Sequence, residues 1–292
     1  MPVDSAAPRR QRVWFVTGCS SGIGKALCRR ALERGDRVVC SARDETRLAE
    51  LVAAFPDHAI ALRLDVTDAA NVADAVAEAI GRTGDIDVLV NNAGFGTVGA
   101  LEETDEEAVK KAFDANVYGP YRLVRAILPH MRRRGQGHIL NVSSMTGFAG
   151  VAGFCFYSAS KFALEGMSEA LAQEVAPFGI KVTLIEPGPF RTEFRAAGSM
   201  HSAPALEAYA ATVGKFRQML ADTDGKQPGD PVKAADAMIA VVEAEKPPLR
   251  LPLGDACVGL VRKKLAHVGD ELERWLDLSL STSFEAGAPL KS

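Results

Sequence analysis

The chain reads as an α/β protein built on a doubly wound parallel sheet of about seven strands with helices on both faces, and three observations predict it. Short β-branched runs alternate with longer stretches of helical periodicity. The runs are apolar on both faces, as strands are when helices cover both sides of a parallel sheet. A glycine-rich turn joins the first run to the first helical pattern.

In order, the strand runs are 13–17, 37–42, 59–64, 86–90, 138–142, 180–185 and 249–253, joined by right-handed helical crossovers. The pattern breaks between Pro189 and Gly229, where Gly198-Ser199-Met200-His201-Ser202 is followed by a helical run over 206–220 and a polar Asp222-Thr223-Asp224-Gly225 turn. Residues 189–229 are therefore expected to form a small inserted lobe over the crevice at the carboxyl ends of the strands. Asp230-Pro231 reads as an N-cap with proline at the first helical position, so a core helix resumes from 232 to about 245. After the last strand, Val261, Leu265, Val268, Leu272 and Leu276 recur at helical spacing within a C-terminal extension over 255–284. That stripe is expected to pack on its own domain or on a partner subunit. The organisation is one Rossmann-like domain over 1–292 with no internal repeat or low-complexity tract.

Composition narrows the function classes. Apolar residues make up 47% of the chain, the net charge is -3, and basic residues are scattered, so there is no electrostatic footprint for nucleic acid or an anionic membrane. The five cysteines are odd in number and lack C-x-x-C or Cys/His ligand spacing, which points to free thiols in a reducing compartment. The five histidines share no ligand spacing either, so no metal is expected. Arg9, Arg10 and Arg12 precede a short strand-like run rather than a secretory apolar segment, and no stretch approaches the ~18 apolar residues of a membrane span. A cytoplasmic protein is the expectation.

Two local patterns suggest chemistry. Thr17-Gly18-Cys19-Ser20-Ser21-Gly22-Ile23-Gly24 follows the first strand and opens a helix, so its glycines permit a tight turn and let backbone N-H groups approach a pyrophosphate. Tyr157 and Lys161 stand one helical turn apart in Tyr157-Ser158-Ala159-Ser160-Lys161, on the same face. With Asn91-Asn92-Ala93-Gly94 after the fourth strand and Pro187-Gly188-Pro189-Phe190-Arg191-Thr192 after the sixth, the chain resembles the short-chain dehydrogenase/reductase family. The four motifs correspond to its TGxxxGIG, NNAG, YxxxK and PGxxxT in the family's order, and the match spans most of the chain.

The resemblance implies a nicotinamide dinucleotide held by Gly18, Ser20, Ser21, Gly22, Ile23 and Gly24, with Asn92, Ala93 and Gly94, and with Pro187, Gly188 and Thr192 near the carboxamide. Asp65 and Val66 resemble the family's adenine contacts, although a carboxylate at Asp65 can equally serve as a cap. The second strand ends Cys40-Ser41-Ala42-Arg43, with alanine where an acid would bind a ribose 2'-hydroxyl and with Arg43 next, suited to a 2'-phosphate. NADP(H) is favoured over NAD(H), unless Asp44 supplies the acid one position late.

Carbonyl reduction needs a proton donor at the oxygen, and Tyr157 is that acid. A phenol of ordinary pKa near 10 needs roughly 4 kcal/mol of preference for phenolate to titrate near ~7, which the Lys161 ammonium and an oxidised nicotinamide can help supply. The resemblance also gives Lys161 the nicotinamide ribose hydroxyls. Ser144, thirteen residues before Tyr157, matches the family's substrate-binding serine, and strand alternation sends its neighbour Ser143 the other way. Asn116 matches the family's helix asparagine, which helps hold a water linked to the lysine; the alternative is an ordinary buried amide.

Phe95, Met145, Phe148, Phe154, Phe156, Phe190, Phe194 and Met200 are expected around an apolar substrate, though part of this set would fill core instead. The outline, longer than a typical ketoacyl reductase, resembles hydroxysteroid and retinol dehydrogenases, and the resemblance implies a homodimer or homotetramer through the helices bearing Asn116 and Tyr157. Two other readings stay open. One is a reductase of β-ketoacyl thioesters, docking its carrier at Arg122, Arg125, Arg132, Arg133 and Arg134; the other is a non-catalytic nucleotide-binding redox sensor.

Overall fold

The computed structural model describes residues 10–196 and 198–284, so the reading of the N-terminus at Arg9 and the stretch after Phe284 lie outside the described residues. In chain order the strands are β1 (Val13–Val16), β2 (Arg37–Ala42), β3 (Ala59–Arg63), β4 (Val88–Asn91), β5 (Gly96–Val98), β6 (Gly137–Val142), β7 (Ile180–Pro187), β8 (Met200–Ser202) and β9 (Arg250–Leu253). The helices are α1 (Gly22–Glu33), α2 (Ala49–Ala54), α3 (Ala69–Thr83), α4 (Glu106–Phe113), α5 (Gly119–Arg134), α6 (Met145–Phe148), α7 (Cys155–Val175), α8 (Lys215–Asp222), α9 (Pro231–Glu243), α10 (Asp255–Arg274) and α11 (Leu276–Leu280).

Seven strands pair in parallel in the order β3-β2-β1-β4-β6-β7-β9. Alternation along β1 explains the two cores. Trp14 and Val16 face a layer with Leu27 of α1 and Met238 and Ile239 of α9, while Phe15 faces the opposite layer with Leu123 and Ile127 of α5. Both sides of the sheet are thus dry, as the uniformly apolar runs require.

The chain order reverses between β1 and β4, and this reversal opens a crevice at their carboxyl ends. Register aligns Val16 with Val90, Asn91 with Asn141, and Val142 with Ile185, so the loops after β1, β4, β6 and β7 emerge along one edge. The motifs lie on those loops because those are the sheet's open ends.

The 189–229 segment leaves after β7 and returns to α9. Its β8 pairs in parallel with β5, a small second sheet that the sequence patterns did not show because each strand is only three residues long. The helical run expected over 206–220 is broken into a 3-10 turn at Glu207–Tyr209, a π segment at Ala210–Gly214 and α8. Glu103 ties this segment down. Its side chain is 1% exposed and accepts from Ala100 N, Leu206 N and Arg217 Nη2 at 2.7, 2.8 and 2.9 Å.

The C-terminal stripe is covered only at its ends. Cys257 of α10 is buried and Val261 and Leu276 are half-buried, whereas Leu265, Val268 and Leu272 are exposed, which leaves the expected packing on a partner subunit as a proposal. Helical periodicity showed the apolar face but not that α10 runs past the edge of the body.

Glu103 is held down to about 2 by its backbone donors and Arg217. A carboxyl with a lowered native pKa contributes anchoring that is complete above its ordinary value of 4.5 and is lost as pH falls toward 2. Glu103→Ala is expected to raise amide hydrogen exchange in 198–228 by about tenfold or more at neutral pH without a matching rise in β1 or β4.

Candidate functional site

The loop after β1 is shaped by contacts that exclude side chains. Gly18 and Gly22 have φ of +70° and +57°, and a Cβ on Gly18 would meet Ala93 Cα and Asn92 Nδ2 at 3.0 Å. At Gly24 a Cβ would lie 2.4 Å from both Asn92 Nδ2 and Gly18 O. Asn92 braces the turn by donating from Nδ2 to Thr17 O and Gly18 O at 2.9 and 3.1 Å. Thr17 Oγ1 in turn accepts from Asn92 N and Ala93 N at 3.0 and 2.9 Å. Thr17 is therefore the link between the two motifs, a role that motif matching alone passes over.

Ser21 precedes α1 in extended conformation without a side-chain cap, and the first turn has no acidic residue. The helix thus opens with uncapped N-H groups at its positive end, an arrangement suited to a phosphate. A cavity of about 1450 Å³ runs from this end across the carboxyl edge of the sheet. Gly18, Ser20, Ser21, Gly22, Ile23, Arg43, Asp65, Val66, Asn92, Ala93, Gly94, Pro187, Gly188 and Thr192 all line it. Gly24 does not; it serves the packing of the loop.

At the end of β2, Ala42 and Arg43 line the cavity, and Arg43 is exposed. Asp44 is occupied elsewhere, since its Oδ1 accepts from Thr46 N and Thr46 Oγ1 at 3.1 and 2.6 Å and caps the turn Glu45–Leu48. Asp65 makes a similar turn, accepting from Thr67 N and Oγ1 at 3.0 and 2.7 Å, while Asp68 is the residue that caps α3.

At the cavity floor, Ser144, Tyr157 and Lys161 come together. Ser144 follows β6 and N-caps α6, with Oγ accepting from Thr146 N at 3.1 Å. Tyr157 and Lys161 project from one face of α7, with Lys161 Nζ 5.8 Å from the phenol ring centroid and donating to Val142 O at 2.8 Å. Burial pushes the Tyr157 phenol up to about 12, partly offset by Ser144, and pushes Lys161 down to about 8 against the attraction of Glu165. Both residues are thus biased to their neutral forms.

Asn116 lies in a π-helical segment, Asp114–Tyr118, between α4 and α5. Such a widened turn is a frequent mark of a functional position. The amide does not line the cavity. Its Nδ2 donates to Phe95 O and Ser160 Oγ at 2.8 and 2.9 Å, and its Oδ1 accepts from Phe95 N at 2.8 Å. It locks the NNAG loop to α7, and a Cβ on Gly94 would sit 3.1 Å from Asn116 Oδ1 and 3.7 Å from Lys161 Nζ.

Aromatic rings wall the phenol. Phe154 packs edge-on at 5.3 Å between centroids, Phe194 lies at 5.6 Å, and Phe216 follows at 4.7 Å from Phe154. Of the apolar residues expected at the substrate, Phe95, Met145, Phe154, Phe190, Phe194 and Met200 line the cavity, whereas Phe148 and Phe156 do not. Phe216, Met219 and Leu220 of α8 join them. Sequence reading passed over these three because nothing local shows which face of α8 meets the crevice.

Beneath the glycine loop, Cys19, Cys28 and Cys40 bring their sulfurs within 4.8 Å of one another, and Cys28 Sγ donates to Cys19 Sγ at 3.3 Å. The three are free, buried and part of the apolar layer under α1. Their spacing along the chain matches no ligand motif; the pairing of β1 with β2 and the packing of α1 on that layer gather them.

Comparison with known proteins yields one consistent picture. The family model described as short chain dehydrogenase matches residues 12–202. An oxidoreductase of Botryotinia fuckeliana is 38% identical over 274 residues, covering 93% of this chain and 99% of the relative. Retinol dehydrogenase 8 of Homo sapiens is 38% identical over 264 residues, covering 84% and 81%. The crystal structure of a short-chain dehydrogenase from Streptomyces avermitilis superposes with a TM-score of 0.89 at 47% identity, covering 94% of this chain and all of that one.

The close approach at Gly24 gives a direct test. Gly24→Ala is expected to weaken dinucleotide binding by about tenfold or more, read by calorimetric titration, while the circular dichroism spectrum stays native.

Proposed function

The chain belongs to the short-chain dehydrogenase/reductase family, and from that premise we propose that it is an NADP(H)-dependent oxidoreductase interconverting a carbonyl and an alcohol on an apolar small molecule, with Tyr157 as acid and base. The observation that supports this most is the meeting of Ser144, Tyr157 and Lys161 at the floor of one cavity whose other end is the glycine loop.

The residues present fit a dinucleotide. Gly18 and Gly22 clear space that any Cβ would fill, and the uncapped start of α1 favours a pyrophosphate. Asp65 and Val66 would meet the adenine, Thr192 and the Pro187-Gly188 turn the carboxamide, and Lys161 the ribose hydroxyls beside it. When bound, the nicotinamide supplies or takes up a hydride.

The chain's own groups handle the proton. Ser144 donates to the substrate oxygen and places it beside the phenol. Tyr157, kept neutral by burial, hands its proton to that oxygen as negative charge grows there, and the Lys161 ammonium stabilises the phenolate left behind. In the oxidative direction the same phenolate takes the proton back from the alcohol. Asn116 acts at one remove, holding the loop at Gly94 against α7.

The cofactor choice rests on Arg43. Complexes among structural neighbours occur with both cofactors: a Brucella melitensis 3-ketoacyl-(acyl-carrier-protein) reductase with NADH and a serine dehydrogenase with NADP+. In this chain Ala42 offers no acid, Asp44 is spent on a turn, and exposed Arg43 lines the cavity beside Ala42, which favours a 2'-phosphate over a bare ribose hydroxyl.

The aromatic and methionine walls favour an apolar substrate. The docking patch of the thioester alternative is reduced, because Arg122 pairs with Asp114 and Arg134 with Asp85 and Asp87, which leaves Arg125, Arg132 and Arg133 exposed. A homodimer or homotetramer is part of the proposal, supported by exposed Tyr118, Tyr121 and Phe162 on and beside α5 and α7. No helix among the described residues is long and apolar enough to cross a membrane, and operation in the reducing cytoplasm is proposed on the five free cysteines.

Three outcomes test this. Tyr157→Phe is expected to lower kcat for ketone reduction about a hundredfold or more with nucleotide affinity nearly unchanged. Arg43→Ala should raise KM for NADPH about tenfold or more and leave KM for NADH in place; equal effects on both would remove the 2'-phosphate assignment. Because Lys161 is charged below about 8, reduction should decline as pH rises through that value, measured as initial rates of NADPH oxidation.

A further inference from the structure

Farther along the same face of α7, one turn beyond Lys161, lies a cluster of ionisable groups that the proton transfer described above leaves unused. Glu165 stands one turn beyond Lys161 with its side chain 7% exposed, and its Oε2 accepts from Arg250 Nε at 2.9 Å. Glu186, on β7 and 1% exposed, brings Oε1 to 3.6 Å from the same nitrogen. Arg250 arrives from β9, where it pairs in register with Leu184, and its Nη2 donates to the half-exposed Glu169 at 2.6 Å. Cys257 of α10 faces both buried carboxyls, and Ser143, at the end of β6, faces Glu165.

The packing here is tight. A Cβ on Gly147 would meet Ser143 Oγ at 2.5 Å, Lys161 Cβ at 3.1 Å and Glu165 Cγ at 3.4 Å, so α6 closes directly over the Lys161-Glu165 turn. Glu186 Oε1 is buried without a hydrogen-bond partner, and Ser143 Oγ and Glu165 Oε1 are buried facing one another. A buried carboxyl oxygen without a donor is costly, so its presence asks for a reason.

Charge supplies one. Water screens Glu169, which leaves two buried carboxyls to one guanidinium, and in a low-dielectric interior the pair cannot comfortably ionise together. Burial raises both carboxyls; Glu165 adds to the rise of Glu186, to about 7, while Ser143, Arg250 and Lys161 oppose the rise of Glu165. Glu165 has the direct bond to Arg250 and Lys161 one turn before it, so of the two carboxyls Glu186 is the readier to hold a proton. Around Lys161 the other elements present neutral groups: the phenol of Tyr157, the Val142 carbonyl and the Ser143 and Ser144 hydroxyls at the end of β6, and the Asn116 amide across Gly94.

We propose that Glu165 is a positioning residue of the reaction: clamped by Arg250, it supplies from the next turn of α7 the counter-charge that keeps the Lys161 ammonium charged for Tyr157, and Glu186 sets the cluster's strength by holding or releasing a proton. This rests on the reading of Tyr157 and Lys161 given above. The consequence is a reaction tuned from a second layer that never touches substrate.

The test uses the full chain with Glu165→Gln, which keeps an acceptor for Arg250 and removes only the charge, beside Glu169→Gln and Glu186→Gln. Glu165→Gln is expected to move the high-pH decline of carbonyl reduction to lower pH by about one unit, with KM and nucleotide affinity within about twofold. Glu169→Gln should leave the decline in place, because water already screens that carboxylate. Glu186→Gln, which holds that group neutral at every pH, should move the decline to lower pH by less than Glu165→Gln does. The Lys161 Nζ resonance, followed by NMR on isotope-labelled protein, should titrate about one unit lower in Glu165→Gln as well. An unmoved decline and an unmoved lysine titration, with only a lower melting temperature, would overturn the proposal and leave Glu165 a structural ion-pair partner. A shifted lysine titration in a protein whose wild type reduces no carbonyl would support the charge coupling and sink the enzymatic reading instead.

Discussion

The site depends on keeping an ammonium and a phenol out of water within one helical turn of each other. In solution neither Tyr157 nor Lys161 would titrate usefully near neutrality. Burial drives the phenol up to about 12 and the amine down to about 8, so near neutral pH the lysine is already charged and the phenol needs that charge, or a ligand's, to ionise. That need makes the pair responsive: a positive charge arriving beside the ring lowers the phenol, and a negative charge one turn along α7 raises the lysine.

The rest of the architecture places this pair. α7 sets the spacing, and the Lys161 bond to Val142 O fixes the helix to the end of β6, where Ser144 stands. Asn116 secures the NNAG loop against the same helix, and Asn92 and Thr17 pass that order on to the glycine turn. A short chain of hydrogen bonds thereby connects the two ends of the cavity. The aromatic rings pack against the phenol, and Glu103 holds the segment that provides much of that wall.

How much of this could be read from the chain alone follows from the range of each interaction. Tyr157 and Lys161 are neighbours by helical geometry, and the glycine loop announces itself because only glycine tolerates its φ values and close contacts. All seven strands of the main sheet were legible because burial on both faces leaves continuous apolar runs. The β5-β8 pair was not, since three-residue strands leave no period. Glu165, Glu186 and Arg250 come from α7, β7 and β9, and nothing near any one of them signals the others. The cysteine trio beneath the loop was hidden for the same reason. The α10 stripe shows the converse limit, for periodicity reveals an apolar face without saying what, if anything, covers it.

The coupling between phenol and ammonium is most directly read by titrating Tyr157 itself, through the ultraviolet difference absorbance of phenolate against Tyr157→Phe, with and without oxidised dinucleotide. A midpoint that drops by several units from about 12 in the complex, and that returns upward when Lys161 is replaced by methionine, is the predicted result. A midpoint indifferent to both the dinucleotide and Lys161 would contradict the account.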